Sequence, residues 1–189
     1  MIEINSPGGT PVAAERIAER LHGSSLPVVA LIGDFAASGG YMIAAAADHI
    51  VASPMSDVGS IGVNRSYVEE SAKNEEEGLT YVQLIAGEFK DAGSPNRPIT
   101  DDERELFQND LEIVNKAFID LIAKYRNMEV EAVTQLEDGE TMQGVRALEN
   151  NLIDSLGGIS QARGILSALT GKTVEETVIC EYTSGPIPF

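Results

Sequence analysis

Pro27-Val28-Val29-Ala30-Leu31-Ile32-Gly33 is apolar at every position between its proline and its glycine, so an extended segment here has no face that can meet water. Such a strand belongs inside a parallel sheet with helices packed on both faces. The flanking segments supply those helices. Before it, Met1-Ile2-Glu3-Ile4-Asn5 reads as the end of a strand. It runs into the turn Ser6-Pro7-Gly8-Gly9, and Thr10-Pro11 then opens a helix with apolar Ala13, Ala14, Ile17, Ala18 and Leu21 at helical spacing. After it, Asp34-Phe35-Ala36-Ala37 leads to Ser38-Gly39-Gly40, where a second helix can begin and run to about Ala47.

The alternation continues. Ile50–Ser53 is a third strand candidate, Pro54–Gly62 a turn-rich stretch, and Leu79–Ala86 a fourth strand candidate, followed by the loop that carries Lys90. Thr100-Asp101-Asp102-Glu103 is a capping box. Leu106, Phe107, Leu111, Val114, Phe118, Leu121, Ile122 and Tyr125 then form one apolar stripe, predicting an amphipathic helix of about seven turns. Short helices are expected at residues 130–136, 144–150 and 159–169, and a closing strand at Val174–Tyr182. Strands interleaved with helices predict an α/β fold with a largely parallel sheet, and 189 residues suit one domain. That domain is expected over residues 1–182, with 183–189 a flexible tail.

Composition excludes several functions. Thirty acidic against 13 basic residues give a net charge of −17, which disfavours binding of nucleic acid or docking on an anionic membrane through charge. The acidic runs, Glu69 to Glu77 and Asp101 to Glu105, lack histidine partners and read as solvated faces rather than metal sites. No apolar stretch approaches the ~18–20 residues of a spanning helix. Cys180 is the only cysteine, so no intrachain disulfide can form, and with no base nearby in sequence it reads as an unreactive thiol.

The chemistry lies in the glycine-rich turns. Ser38 stands between a strand and a helix, where free N–H groups and the helix dipole can stabilise a developing oxyanion; a helix cap is the plain alternative. A nucleophilic serine needs a base. His22 ends a helix beside Gly23, and His49 lies roughly 15 Å from Ser38 along the second predicted helix, so both read as structural. A lysine base must be held neutral, because an ordinary pKa of ~10.4 leaves little free amine, while burial can lower it greatly. Lys90 follows an apolar segment in a loop of small residues, where it could turn inward. Lys73, Lys116, Lys124 and Lys172 lie in polar or helix-surface contexts. Position alone leaves a surface role for Lys90 open.

Taken together and in order, Asn5-Ser6-Pro7-Gly8-Gly9, Ala36-Ala37-Ser38-Gly39-Gly40-Tyr41, Ala47-Asp48, Gly59-Ser60-Ile61-Gly62 and Gly87-Glu88-Phe89-Lys90-Asp91 resemble the signal peptide peptidase A (SppA) family of serine peptidases. Pro98-Ile99-Thr100, Arg126-Asn127-Met128, Asp138-Gly139 and Leu152-Ile153-Asp154 extend the resemblance over nearly the whole chain. It implies a ClpP/crotonase-type spiral of β-β-α units, with Ser38 as acylating nucleophile and Lys90 as its base. It also implies that Ser60 orients the lysine amine, that the N–H groups of Gly9 and Gly39 form the oxyanion hole, and that no cofactor or metal takes part. The substrate would be a peptide, such as a remnant signal peptide, with small or apolar side chains selected by residues around Tyr41 to Ala46.

Family members carry an anchoring transmembrane segment and one or two further strands before the Ser-Pro-Gly-Gly turn, so the resemblance implies an N-terminally short form. An uncovered sheet edge would then need a neighbouring subunit. The family forms ring-like oligomers whose site walls come from more than one subunit, so a homo-oligomer at the outer face of the cytoplasmic membrane is expected. Three alternatives stand beside this reading: a phage prohead protease with the same dyad, a crotonase-like acyl-CoA enzyme, and a silent assembly module. Ser38, Ser60 and Lys90 standing together speak against the last.

Overall fold

A computed structural model describes residues 1–176. Strand β1 (Ile2–Ser6) leads through the Pro7–Thr10 turn to helix α1 (Pro11–His22). Strand β2 (Val29–Ala37) runs into helix α2 (Gly39–Ala45), followed by strands β3 (His49–Ala52) and β4 (Asp57–Gly59). Helix α3 (Ser71–Glu76) precedes the long helix α4 (Asp101–Arg126). Helix α5 (Val130–Thr134), strand β5 (Thr141–Gln143), helix α6 (Gly144–Glu149), strand β6 (Ser155–Leu156) and helix α7 (Ile159–Thr170) complete the elements, with a 3-10 turn at Val174–Glu176.

The apolar run predicted as a buried strand is the hub of the sheet. β2 pairs in parallel with β1 along one edge and with β3 and then β4 along the other. β3 pairs in parallel with β6, and only β4–β5 is antiparallel. Between Ile4↔Ile32 and Ser6↔Ala36 the β1–β2 register slips, leaving a bulge at Gly33-Asp34-Phe35. Bulges bend a strand and increase its twist. Asn5 holds this one: its Oδ1 accepts from the Phe35 N–H at 3.2 Å, and its Nδ2 donates to Asp34 at 3.4 Å. On one side of the bulge β2 pairs with β3 and on the other with β4, and this curl carries Ala37 and Ser38 away from the flat part of the sheet.

Both faces of β2 are covered, as its composition requires. Ala30, Ile32 and Ala36 join the main core with Ala14 and Ala18 of α1, Tyr41 and Met42 of α2, and Phe118 and Ile122 of α4. Val29 and Leu31 face the other way with Val51, onto Ala162, Ile165 and Leu166 of α7. Each fully buried large side chain, such as Ile50 or Ile122, contributes about 1.5–3 kcal/mol over an exposed one. The main core is rich in alanine, so helix α2 approaches the sheet closely and α1 packs closely on α2.

Helix α4 forms as its capping box predicts: Thr100 Oγ1 accepts from the Glu103 N–H at 3.2 Å, and Glu103 Oε2 accepts from the Thr100 N–H at 3.0 Å. Thr10 stands at the N-cap of α1, but its side chain makes no capping bond. One expected strand is absent. Leu79–Ala86 forms no ladder, and its apolar residues stay in solvent, Leu84 at 91% exposure. Alternation of residue types marks a segment that can pair, but a strand needs a partner edge, and nothing in the described residues offers one. The expected strand from Val174 begins instead as the 3-10 turn, and its remainder, Cys180 and residues 183–189 lie outside the described residues.

Candidate active site

The local geometry at Ser38 is not that of a helix cap. Its backbone lies at φ 52°, ψ −123°, and its side chain makes no capping hydrogen bond, so the hydroxyl is not engaged with the helix that follows it. A non-glycine residue in such a region costs roughly 1–3 kcal/mol and persists where the surroundings hold it. Here the Ser38 N–H donates to Gly59 O at 2.8 Å, at the end of β4, and the Met42 N–H returns to Ser38 O at 3.0 Å. Gly8 lies against the turn so closely that a Cβ on it would sit 2.9 Å from Ser38 Cβ.

Ser60 follows the strand that anchors Ser38 and also has a positive φ, 51°. Its N–H donates to Glu140 O at 2.8 Å, and its hydroxyl donates to Gly139 O at 2.9 Å. Ser38, Ser60 and Gly9 line one cleft of about 570 Å³, whose far wall is α4 through Gln108, Leu111, Glu112 and Asn115 and whose floor includes Asp138 and Gly139. The nitrogen of Gly9 lies 3.4 Å from where a Gly39 Cβ would stand, so the two glycines expected to form an oxyanion hole adjoin each other beside Ser38.

On its other side Ser38 borders a second cavity, about 190 Å³, lined by Gly39, Met42 and the α4 face Val114, Ala117, Phe118 and Leu121, with Val12 and Glu15 from α1. Residues 41–46, expected to help shape the substrate pocket, contribute little to this cavity. Met42 alone of that segment lines it; Tyr41 is fully buried, its hydroxyl donating to Leu152 O at 2.9 Å, and burial pushes that phenol well above its ordinary pKa. Sequence reasoning missed the role of α4 because an amphipathic stripe shows that a helix packs, and says nothing about which cleft it walls.

The histidines stay structural: His22 packs on the Tyr125 ring at 4.9 Å between centroids, and His49, in β3 rather than at a helix end, contacts Ser155 Oγ at 3.0 Å. Lys90 is not brought to Ser38 within one chain. It sits exposed in a turn closed by its own N–H to Gly87 O at 3.1 Å, and it does not line the cleft. Its side chain does not turn inward.

The site can therefore present a strained, unengaged serine hydroxyl, adjacent backbone N–H donors, a second hydroxyl, and an apolar pocket beside the reacting centre. Comparison with known proteins points to serine peptidases. A family model described as "Peptidase family S49" matches residues 20–172. A protein of Methanocaldococcus jannaschii that bears a protease name is 33% identical over 184 residues, covering 96% of this chain and 58% of its own length. The chloroplastic serine protease SPPA of Arabidopsis thaliana is 33% identical over 189 residues, 98% of this chain and 28% of that protein. The head-tail preconnector protein GP5 of Enterobacteria phage P21 is 25% identical over 186 residues, 97% of this chain and 37% of that protein. The chain spans little more than half the length of the relatives from M. jannaschii and Enterococcus faecium, 58% and 55%.

Proposed function

The chain belongs to peptidase family S49, the SppA-type serine peptidases, and from that premise we propose that it cleaves peptides by a Ser38/Lys90 dyad whose lysine comes from a neighbouring copy. The observation that carries this is the state of Ser38: φ 52°, no capping bond, and a place where a polar cleft and an apolar pocket meet. Ser38 Oγ attacks the scissile carbonyl and its proton passes to the neutral Lys90 amine. The oxyanion so formed accepts from the N–H groups of Gly9 and Gly39. The lysine then protonates the leaving amine, and water, deprotonated by the same lysine, hydrolyses the acyl-enzyme. Ser60 Oγ orients the amine, as a third group orients the base in other triads.

Exposure of Lys90, together with the exposed apolar side chains of Val82, Leu84 and Phe89 around it, supports its delivery in trans. Assembly would cover those side chains and take the amine out of water, the condition that lets a lysine act as a base near neutrality. The apolar pocket supports selection of an apolar side chain next to the cleaved bond, and remnant signal peptides are the substrate class this fits. The family resemblance supports an encounter at the outer face of the cytoplasmic membrane; no helix of the described residues is long and apolar enough to cross it.

Likeness to the phage protein supports a second reading, processing of prohead proteins by the same chemistry. Capsid genes beside this one would favour it, secretion genes the first.

The test is labelling by a serine-reactive peptidyl phosphonate. Ser38→Ala and Lys90→Ala should each be inert alone, and the two should restore turnover of a peptide ester when their subunits are mixed and exchanged. A Lys90→Ala chain that acylates like wild type would remove Lys90 from the mechanism. Failure of the mixture to recover, with both variants assembled, would return the lysine to the same chain as the serine.

A further inference from the structure

The turn that carries Lys90 is closed by backbone bonds, from the Lys90, Ala92 and Ser94 N–H groups to Gly87, Phe89 and Asp91 O, but few apolar side chains pack on it. Its neighbours Leu84, Ile85 and Phe89 are exposed, and Gly87 and Gly93 bracket it at φ 107° and 75°. Yet one residue beyond the lysine, Asp91 is the hub of a polar cluster. Asp91 Oδ2 accepts from the Tyr81 hydroxyl at 2.7 Å, from Gln83 Nε2 at 3.1 Å and from Arg97 Nε at 3.4 Å. Arg97 Nη2 also donates to the Asp91 carbonyl at 3.1 Å, so side chain and backbone of Asp91 are gripped by the same guanidinium.

The other end of that guanidinium is fixed to α4. Arg97 Nη1 and Nη2 reach the two carboxylate oxygens of Glu103 at 2.9 and 2.5 Å, a two-pronged pairing that a planar guanidinium makes and an ammonium does not. Glu103 is 4% exposed and is already held by the capping box at Thr100. One turn on, Phe107 of α4 packs so tightly on Gly93 that a Cβ there would come within 3.1 Å of the ring. The next turns of the same helix, through Gln108, Leu111, Glu112 and Asn115, wall the Ser38 cleft.

We propose that Arg97 is a positioning residue for the Lys90 base: by joining Asp91 to Glu103 it registers the lysine turn on the helix that also builds the serine cleft. The inference rests on the dyad reading above. An arm aimed at a neighbouring subunit gains from such a brace, since an error of about 1 Å in a reacting group can cost ~100-fold in rate. Asp91, Glu103 and Arg97 are the charged groups of the cluster, with Tyr81 and Gln83 completing it, and the Arg65 guanidinium lies beside it, 3.6 Å over the Phe107 ring and next to Gly93.

The experiment measures phosphonate acylation against pH, together with the melting temperature, for the full chain carrying Arg97→Lys, Asp91→Asn or Lys90→Ala. Arg97→Lys, which keeps the charge and loses the fork, should slow acylation of the assembled enzyme by about 10- to 100-fold and raise the apparent pKa of the profile as the amine loses its fixed setting. Asp91→Asn should move both in the same direction by less, and it decides the matter if Arg97→Lys does not fold. Amide hydrogen exchange should quicken at residues 87–94 and stay unchanged in the later turns of α4. A lowered melting temperature with unmoved rate and pH profile would make Arg97 merely structural and overturn the proposal. If Lys90→Ala is dead while both other variants behave as wild type, this inference alone falls; if Lys90→Ala is fully active, the dyad falls and the positioning role with it.

Discussion

Adding one methyl group at Gly8 should strike both the fold and the chemistry. In Gly8→Ala the new Cβ would stand 2.9 Å from Ser38 Cβ, 3.1 Å from Ala37 O and 3.1 Å from Gly39 N. Carbon pairs settle at about 3.5–4.0 Å, so the first contact is short by ~0.6–1.1 Å. No rotamer relieves it, because all three atoms belong to, or sit directly on, the backbone of the nucleophile turn. Overpacking of this kind costs about 1–3 kcal/mol. Holding alanine at φ 113° adds a further ~1–3 kcal/mol. A loss near 4 kcal/mol in a chain of this size lowers the melting temperature by roughly 8–16 °C. What survives folded has Ser38 displaced by a large part of the shortfall, and acylation should fall by about 100-fold. Calorimetry and the phosphonate labelling rate, taken at a temperature where wild type and variant are both folded, read the two effects separately. Gly9→Ala is the control for stability, since nothing lies within 4 Å of its Cβ position, and it should melt with wild type. The reasoning is refuted if Gly8→Ala also melts with wild type, or if it melts early while labelling at the wild-type rate.

Other outcomes follow from sites further away. A Cβ at Gly144 would collide with Ser53 O, so Gly144→Ala should destabilise by about 1–3 kcal/mol or more while leaving the labelling rate of folded protein unchanged, because Gly144 does not line the cleft. The Arg97 guanidinium and the Thr100 N–H hold the Glu103 carboxyl at about 2, against an ordinary 4.5. A depressed folded value means stability that is present above pH 4.5 and lost as pH falls towards 2. Melting curves should show that acid loss in wild type and a flatter response over the same window in Glu103→Gln. Arg126, 8% exposed, binds Asp154 at 2.8 and 3.0 Å and Asn151 O at 2.9 and 3.0 Å, so Arg126→Met should cost up to about 3 kcal/mol in a urea titration by leaving the half-buried Asp154 carboxylate with the Ile50 N–H but no guanidinium.

The parts of this structure that could be read from the sequence are those written in local chemistry. Thr100 and Glu103 announce the start of α4 because a capping box is made by four consecutive residues, and the apolar stripe after it needs only the helical period. The apolar run at Pro27 announces a doubly covered strand for the same kind of reason. Strands β4, β5 and β6 were not legible, since two or three residues carry no period. Nor was the extension of β2 to Ala37, which depends on β4 pairing with its second half. Ser38 and Ser60 stand together as their motifs imply. The distance of Lys90 from them within one chain, and the use of α4 as the wall of both cavities, arise from tertiary packing that no window of sequence contains.

The backbone at Ser38 and Ser60 has one more consequence. Both positions hold a conformation that glycine adopts freely and serine does not. Replacing Ser38 by glycine should make the protein melt later while removing a hydroxyl from the cleft, so stability and the proposed catalysis pull in opposite directions there, whereas at Ser60 the lost bond to Gly139 O offsets the relief. A chain released from the proposed peptide cleavage would find an easy stabilising change at Ser38. That serine would then be free to drift, and the fold would outlast the proposed activity.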